Sequence, residues 1–90
     1  MIQHIVLWKF KEDPSEFLSR LEALRDVIPC IRSMQVLRSA VKDAQYDAVL
    51  ISTFDSLEDV ETYKNDPRHV EVAELCKKIR ISRSAIDVEI

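Results

Sequence analysis

Glycine is absent from this sequence of 90 residues. Its absence excludes the glycine-rich phosphate loops of nucleotide-binding proteins, in which the backbone must approach the phosphates closely. Turns and helix ends must also form without the residue that adopts positive φ angles at least cost. We therefore expect aspartate, asparagine and proline to mark the boundaries between elements.

Cysteine is nearly as scarce, since the chain has only Cys30 and Cys76. Neither stands at metal-binding spacing from another cysteine or a histidine, so no metal and no other cofactor is expected. Two free thiols fit a reducing cytosol better than a disulfide does. A chain of this length buries only a little over about 60% of the surface that its unfolded form exposes. Association between chains is then the natural remaining source of stability.

Long apolar runs and an excess of positive charge are missing too. No segment approaches the roughly 18 apolar residues of a membrane span, and the N-terminus lacks the pattern of a signal peptide. The formal net charge of −3 makes nucleic acid a poor partner. Apolar residues make up 47% of the chain and charged residues 32%, the balance of a folded domain. We expect one cytoplasmic domain over residues 1–90, with no membrane or nucleic-acid partner.

The first third of the chain predicts a strand followed by a helix. Residues 2–10 alternate, so that positions 2, 4, 6, 8 and 10 share one face. Asp13-Pro14 is a helix start, with the aspartate as cap and the proline at the first helical position. Apolar residues at positions 17, 21, 24 and 28 follow at helical spacing, until Pro29 ends the helix.

The rest of the chain continues this alternation of elements. Segments 31–41 and 46–54 are predicted strands, separated by a polar connection. Ser56 is predicted to cap a second helix, which Asp66-Pro67 interrupts and restarts. Residues 80–90 are the predicted last strand. The order β-α-β-β-α-β predicts an α+β, ferredoxin-like fold, in which right-handed crossovers place the helices on one face of a four-stranded antiparallel sheet.

Both faces of this sheet are predicted to be apolar. On the first strand Trp8 points one way, while Ile5 and Leu7 point the other. Helices cover one face only, and in a monomer the other face would meet water. A second copy of the chain is the simplest cover, and a groove for a peptide or lipid is the alternative. On the last strand the apolar phase changes between Ile81 and Ile86, which is typical of a β-bulge.

Four segments stand out together: His4–Lys11, Tyr46–Leu50 with the following Phe54-Asp55-Ser56, Tyr63–Val70 with its tyrosine, proline and histidine, and Arg83–Asp87. In order and spacing they resemble the stress-responsive dimeric α/β-barrel family (Dabb), in which the last aspartate matches a common acidic position. Together they cover essentially the whole chain. The resemblance implies a homodimer whose two sheets face each other and form a barrel, with the helices outside.

The resemblance also implies a site. In a plant member that cyclises a polyketide by aldol condensation, the residues matching Tyr63 and His69 act as carbonyl polariser and base. Val70-Glu71-Val72 replace the glycines and aromatics of that cyclase, so the substrate stays open. The first interpretation is a homodimeric stress-responsive protein with a small-molecule pocket near Tyr63 and His69 and no assigned activity. A polyketide-cyclase-like or isomerase-like enzyme is the second. A monooxygenase with or without haem, as in related dimeric barrels, is the third.

Both catalytic candidates also have structural roles open to them. If Asp66 caps the helix, His69 lies in its first turn, where the partial positive charge of the helix start disfavours imidazolium. A neutral His69 could act as a base or accept a hydrogen bond, or it could fix the loop by bonding a backbone carbonyl. Tyr63 could polarise a carbonyl, or it could pack as a ring with a wet hydroxyl.

Three further residues are candidate ligand contacts. His4 and Trp8 share a face of the first strand and could line an interior that binds a small apolar or polyketide-like molecule. A hydrogen-bonded core histidine and a packed indole would give the same pattern. Asp47 could orient a histidine, or it could face solvent. Arg80 and Arg83 could hold an anion, or they could be ordinary surface residues.

Overall fold

The computed structural model describes residues 1–90 and forms one antiparallel sheet with helices packed on one face. The strands are β1 (Ile2–Phe10), β2 (Ser33–Arg38), β3 (Ala48–Phe54) and β4 (Arg80–Glu89). The helices are α1 (Ser15–Ala23), α2 (Leu57–Asn65) and α3 (Pro67–Ile79). The strand order β2-β3-β1-β4 confirms the predicted ferredoxin-like α+β fold.

Strand β1 is central because it pairs with β3 on one side and with β4 on the other. Its even-numbered residues are all buried against the helices, as the alternation predicted. Residues opposite each other in an antiparallel pair share a face. His4 therefore lies on the helix side between Ser52 of β3 and Asp87 of β4.

Each α-helix begins beside a side-chain oxygen that accepts a backbone amide. Asp13, Ser56 and Asp66 accept from the amides of Ser15, Asp59 and Arg68 at 3.0, 3.2 and 2.9 Å. The predicted starts of α2 and α3 are confirmed, and Pro67 is the first residue of α3. Pro14 instead precedes α1, which begins at Ser15.

Helix α1 is shorter than predicted. The apolar stripe from Phe17 to Ile28 is buried, but α1 ends at Ala23 and a 3-10 turn covers Leu24–Asp26. The predicted continuous helix up to Pro29 is therefore wrong. Two β-branched residues come directly before that proline, and the residue before a proline disfavours the α conformation. The chain leaves the helix early, while Ile28 keeps its place in the core.

The two middle strands are also shorter than predicted, since pairing is limited to Ser33–Arg38 and Ala48–Phe54. Residues 39–47 form the connection between them. Asp43 within it has φ of 62°, a left-handed conformation that aspartate tolerates better than most residues. It takes the position that a glycine often fills.

Strand β4 contains the bulge that the phase change predicted. Lys9 pairs with Ser82 and Phe10 pairs with Arg80, so Ile81 is the extra residue. Beyond the bulge, every second residue of β4 faces the helices: Arg83, Ala85, Asp87 and Glu89. None of these four has a large apolar side chain.

The face of the sheet away from the helices carries a continuous apolar surface. It comprises Ile5, Leu7, Val49, Ile51, Ile86 and Val88. The four on β1 and β3 are half-buried by their neighbours, and Ile86 is 57% exposed. The prediction of a sheet with two apolar faces is thus correct. None of the helices has the length and apolar composition that crossing a membrane requires.

Candidate functional site

A cavity of about 340 Å³ lies between the sheet and the helices. Strands β1, β3 and β4 and all three α-helices contribute to its wall, which includes His4, Trp8, Tyr63, His69, Arg80 and Arg83. On the helix side β4 offers only arginine, alanine, aspartate and glutamate side chains. The space over this strand is therefore not filled by a large apolar side chain, as it is over β1 and β3.

Tyr63 is 0% exposed, and its hydroxyl has no hydrogen-bond partner within the protein. Its ring centroid lies 4.4 Å from that of His69 and 6.2 Å from that of His4. Burial raises the pKa of the phenol, so the hydroxyl is a protonated donor at neutral pH. The ring is packed in the core, and its hydroxyl is buried rather than exposed to solvent. A buried donor without an acceptor is uncommon.

His69 lies in the first turn of α3 and also borders the cavity. Its Nδ1 is 3.0 Å from the carbonyl oxygen of Lys64. Because a carbonyl only accepts, Nδ1 carries the proton in a neutral ring and Nε2 keeps its lone pair. The pKa of His69 is lowered, mainly by burial and in part opposed by this hydrogen bond. His69 thus bonds a backbone carbonyl and lines the cavity at the same time.

His4 is the second imidazole of the site, and Asp87 is its partner. Its Nδ1 lies 2.6 Å from Oδ1 of Asp87, with side chains 3% and 30% exposed. Burial lowers the pKa of His4, while the hydrogen bond and the charge of Asp87 raise it in part. The carboxylate fixes the tautomer and leaves Nε2 without a proton in the neutral ring.

Of the two roles considered for Asp47, orienting a histidine is not the one it has in the structure. Its carboxylate accepts from the Phe10 amide at 2.8 Å and from Lys9 Nζ at 3.1 Å, and Asp47 does not border the cavity. These bonds also lower its pKa, the Phe10 amide foremost. Asp47 sits at the opposite end of β1 from His4, so it cannot reach the ring. An aspartate at a strand end accepts a hydrogen bond from the nearest free backbone amide. The register of the strands decides which amide that is.

Trp8 borders the cavity and belongs to the core as well. Its ring packs edge-on against Phe17 at 5.2 Å and stacks on Phe10 at 6.1 Å. Four of the five predicted site residues, His4, Trp8, Tyr63 and His69, therefore surround one cavity. Sequence reasoning assigned no site role to Asp87. Only the register of β4 against β1 identifies it as the neighbour of His4.

The sequence matches the Dabb family, described as the stress responsive A/B barrel domain, over residues 2–90. A comparison with curated proteins gives no significant match. The whole chain is also similar to several solved structures.

A dimeric protein of unknown function with a ferredoxin-like fold from Bacteroides fragilis is 28% identical, with a TM-score of 0.86 over 99% of this chain and 95% of that one. A hydroxynitrile lyase from Passiflora edulis is 15% identical, with a TM-score of 0.86 over 99% and 92%. An antibiotic biosynthesis monooxygenase is 10% identical, with a TM-score of 0.84 over 100% and 98%. At these identities the last two share only the fold, and a fold does not fix an activity.

Proposed function

The chain belongs to the stress responsive A/B barrel domain family, and on that basis we propose that it is a homodimer whose cavity binds a small carbonyl compound and moves a proton on it. In this proposal His69 is the base and Tyr63 is the hydrogen-bond donor to the carbonyl oxygen. His4, held by Asp87, is the second imidazole beside the reacting atoms.

The unpartnered hydroxyl of Tyr63 carries the proposal. Burying a hydroxyl without a partner costs about 1–3 kcal/mol in proteins. Tyr63 is one of the residues that border a cavity large enough for a small molecule. A ligand with a carbonyl oxygen would supply the missing acceptor. This donor would bind an enolate oxygen more strongly than a ketone oxygen, because hydrogen bonds to charged acceptors are stronger.

The histidines fit the role of base because both stay neutral near pH 7. Burial keeps the pKa of each below 6.5. Removal of a proton from the carbon beside the carbonyl would place that proton on Nε2 of His69 and the negative charge on the oxygen that faces Tyr63. Return of the proton to the same or another carbon would complete an exchange or an isomerisation.

The homodimer is supported by the apolar open face of the sheet. A monomer would expose Ile86 and much of the surface around Ile51 to water, and symmetric pairing is the commonest way to cover such a face. The B. fragilis neighbour with the same fold is described as dimeric. Sedimentation at micromolar concentration tests this part, and a stable monomer would contradict it.

Deuterium incorporation tests the proton transfer. Wild-type protein is incubated in D2O with linear methyl ketones of six to ten carbons, and exchange beside the carbonyl is followed by NMR. We expect exchange faster than in buffer, and a loss of about 10²-fold in Tyr63→Phe, as for removal of one donor from an oxyanion site. His69→Gln should lose exchange as well.

Tyr46→Phe is the matched control, because that hydroxyl bonds Ser84 and Tyr46 does not border the cavity. If a ketone raises the melting temperature of the protein but its hydrogens do not exchange faster than in buffer, the protein binds the ketone without catalysing proton transfer. An equal rate in wild type and Tyr63→Phe would contradict the role of the hydroxyl.

A further inference from the structure

We infer that the cavity selects an organic anion, with a carboxylate-like head bound by Arg80 and Arg83 and an apolar body inside. This inference rests on the proposed binding cavity and names the class of its ligand. It adds a requirement, negative charge, that neither the tyrosine nor the histidines impose.

The first observation is the charge of the cavity wall. Four cationic side chains border the cavity, and no aspartate or glutamate does. Lys64 lies 3.8 Å from Glu61, and Lys77 lies 3.1 Å from Glu74, so both lysines have a carboxylate partner. Arg80 and Arg83 have none.

This imbalance is local, since the whole chain has a net charge of −3. The one carboxylate near the histidines, Asp87, is engaged by His4 at 2.6 Å. A cationic ligand would find no free partner in the wall. An anion would meet two guanidinium groups, whose planar donors match a carboxylate well.

The second observation is the position of Arg83. It lies opposite Trp8 in the strand register and on the helix side of the sheet, so it belongs to the cavity wall rather than to the open face. Arg83 is exposed, so its guanidinium meets solvent as well as the cavity. Burial raises the pKa of Tyr63 and lowers that of His69, and the charge of Arg83 opposes the first shift and adds to the second.

The third observation is the division of the wall into polar and apolar parts. The apolar part includes Val6, Trp8, Phe17, Leu21 and Leu50. A volume of about 340 Å³ equals that of roughly eleven waters, which leaves room for a body of about eight carbons. An acid with a short apolar chain matches both the cationic and the apolar part of the wall.

Binding of octanoate and of 1-octanol, measured by calorimetry at low and at physiological salt, tests the inference. Both molecules have an eight-carbon chain, and they differ in the head, which is a carboxylate in octanoate and a neutral hydroxyl in octanol. We expect octanoate to bind at least about tenfold more tightly, with a preference that shrinks as salt screens the exposed part of the contact.

Arg83→Gln should reduce octanoate affinity about tenfold and leave octanol affinity unchanged. Lys78→Gln is the matched control. It removes one positive charge from the C-terminal end of α3, just before β4 begins, and Lys78 does not border the cavity. Its octanoate affinity should stay within about twofold of wild type, as expected for a screened surface charge.

The outcomes separate this inference from the proposed function. Equal binding of octanoate and octanol would overturn the anion requirement and leave the cavity as a binding site. An equal loss of octanoate affinity in Lys78→Gln and Arg83→Gln would also overturn it, because the overall positive charge of this region, rather than contact with Arg83, would then explain the preference for octanoate. If neither compound binds to folded protein, the binding cavity itself fails and the inference fails with it.

Discussion

Replacing Tyr63 with phenylalanine should stabilise the free protein while it weakens ligand binding. The change removes one oxygen atom and keeps the ring, which packs 5.3 Å from Phe54 and 4.4 Å from His69. No cavity of side-chain size is created. The hydroxyl has no partner to lose, so its removal relieves the cost of burying it.

The size of the gain follows from that cost. An unsatisfied buried hydroxyl costs about 1–3 kcal/mol, and the border with the cavity argues for the low end. For a domain of this length, about 1 kcal/mol corresponds to a rise of about 4–8 °C in the melting temperature. Melting curves must be compared at one protein concentration, since the stability of a dimer depends on it.

The same hydroxyl swap at Tyr46 gives the comparison. That hydroxyl is 3.0 Å from Ser84, which lies on the open face of the sheet, so Tyr46→Phe loses a hydrogen bond and should lower stability by about 0.5–1 kcal/mol. A fall of more than about 4 °C in Tyr63→Phe would show that the hydroxyl has a partner in the native state. The reasoning from the orphaned donor would then be wrong.

Three further changes test other parts of the structure. Ile51→Lys places a charge in the centre of the open face and should convert dimers to monomers in sedimentation runs, whereas Leu57→Lys, at an exposed site on α2, should not. Lowering the pH from 7.5 to 5.5 should reduce the free energy of unfolding in urea, because burial holds the pKa of His4 and of His69 below 6.5 and the unfolded chain binds more protons in that range. A flat profile would contradict it, and His69→Gln should remove part of the slope. Asp87→Asn should cost about 1 kcal/mol and lower the pKa of His4 further, which NMR titration of the ring can measure; an unchanged pKa would contradict the contact.

The elements with strong periodicity or clear caps could be predicted from sequence. Strand β1 alternates over its whole length, and Ser56 and Asp66 mark the starts of α2 and α3 because short polar side chains accept the first free amides. The early end of α1 could not be predicted. It depends on how Ile28 packs into the core after the helix has stopped, and that is a tertiary contact.

The site residues also divide into those that could be predicted from sequence and those that could not. His4 and Trp8 share a face by alternation alone, so their common position was predictable. Asp47 and Asp87 were not distinguishable as partners of a histidine, because the choice depends on which strand lies beside β1 and in which register. A one-residue shift would have turned Asp87 to the other face.

The sequence alone determined the order of elements, the two apolar faces of the sheet and the chemical groups available for a site, since all three depend on local spacing. Tertiary structure decided which of these groups meet. Only the pairing of β4 with β1 brings Asp87 to His4 and Arg83 to the cavity wall, and only the packing of α2 and α3 leaves the Tyr63 hydroxyl without an acceptor. Contacts between residues far apart in the chain are fixed by the folded core, and no short segment encodes them.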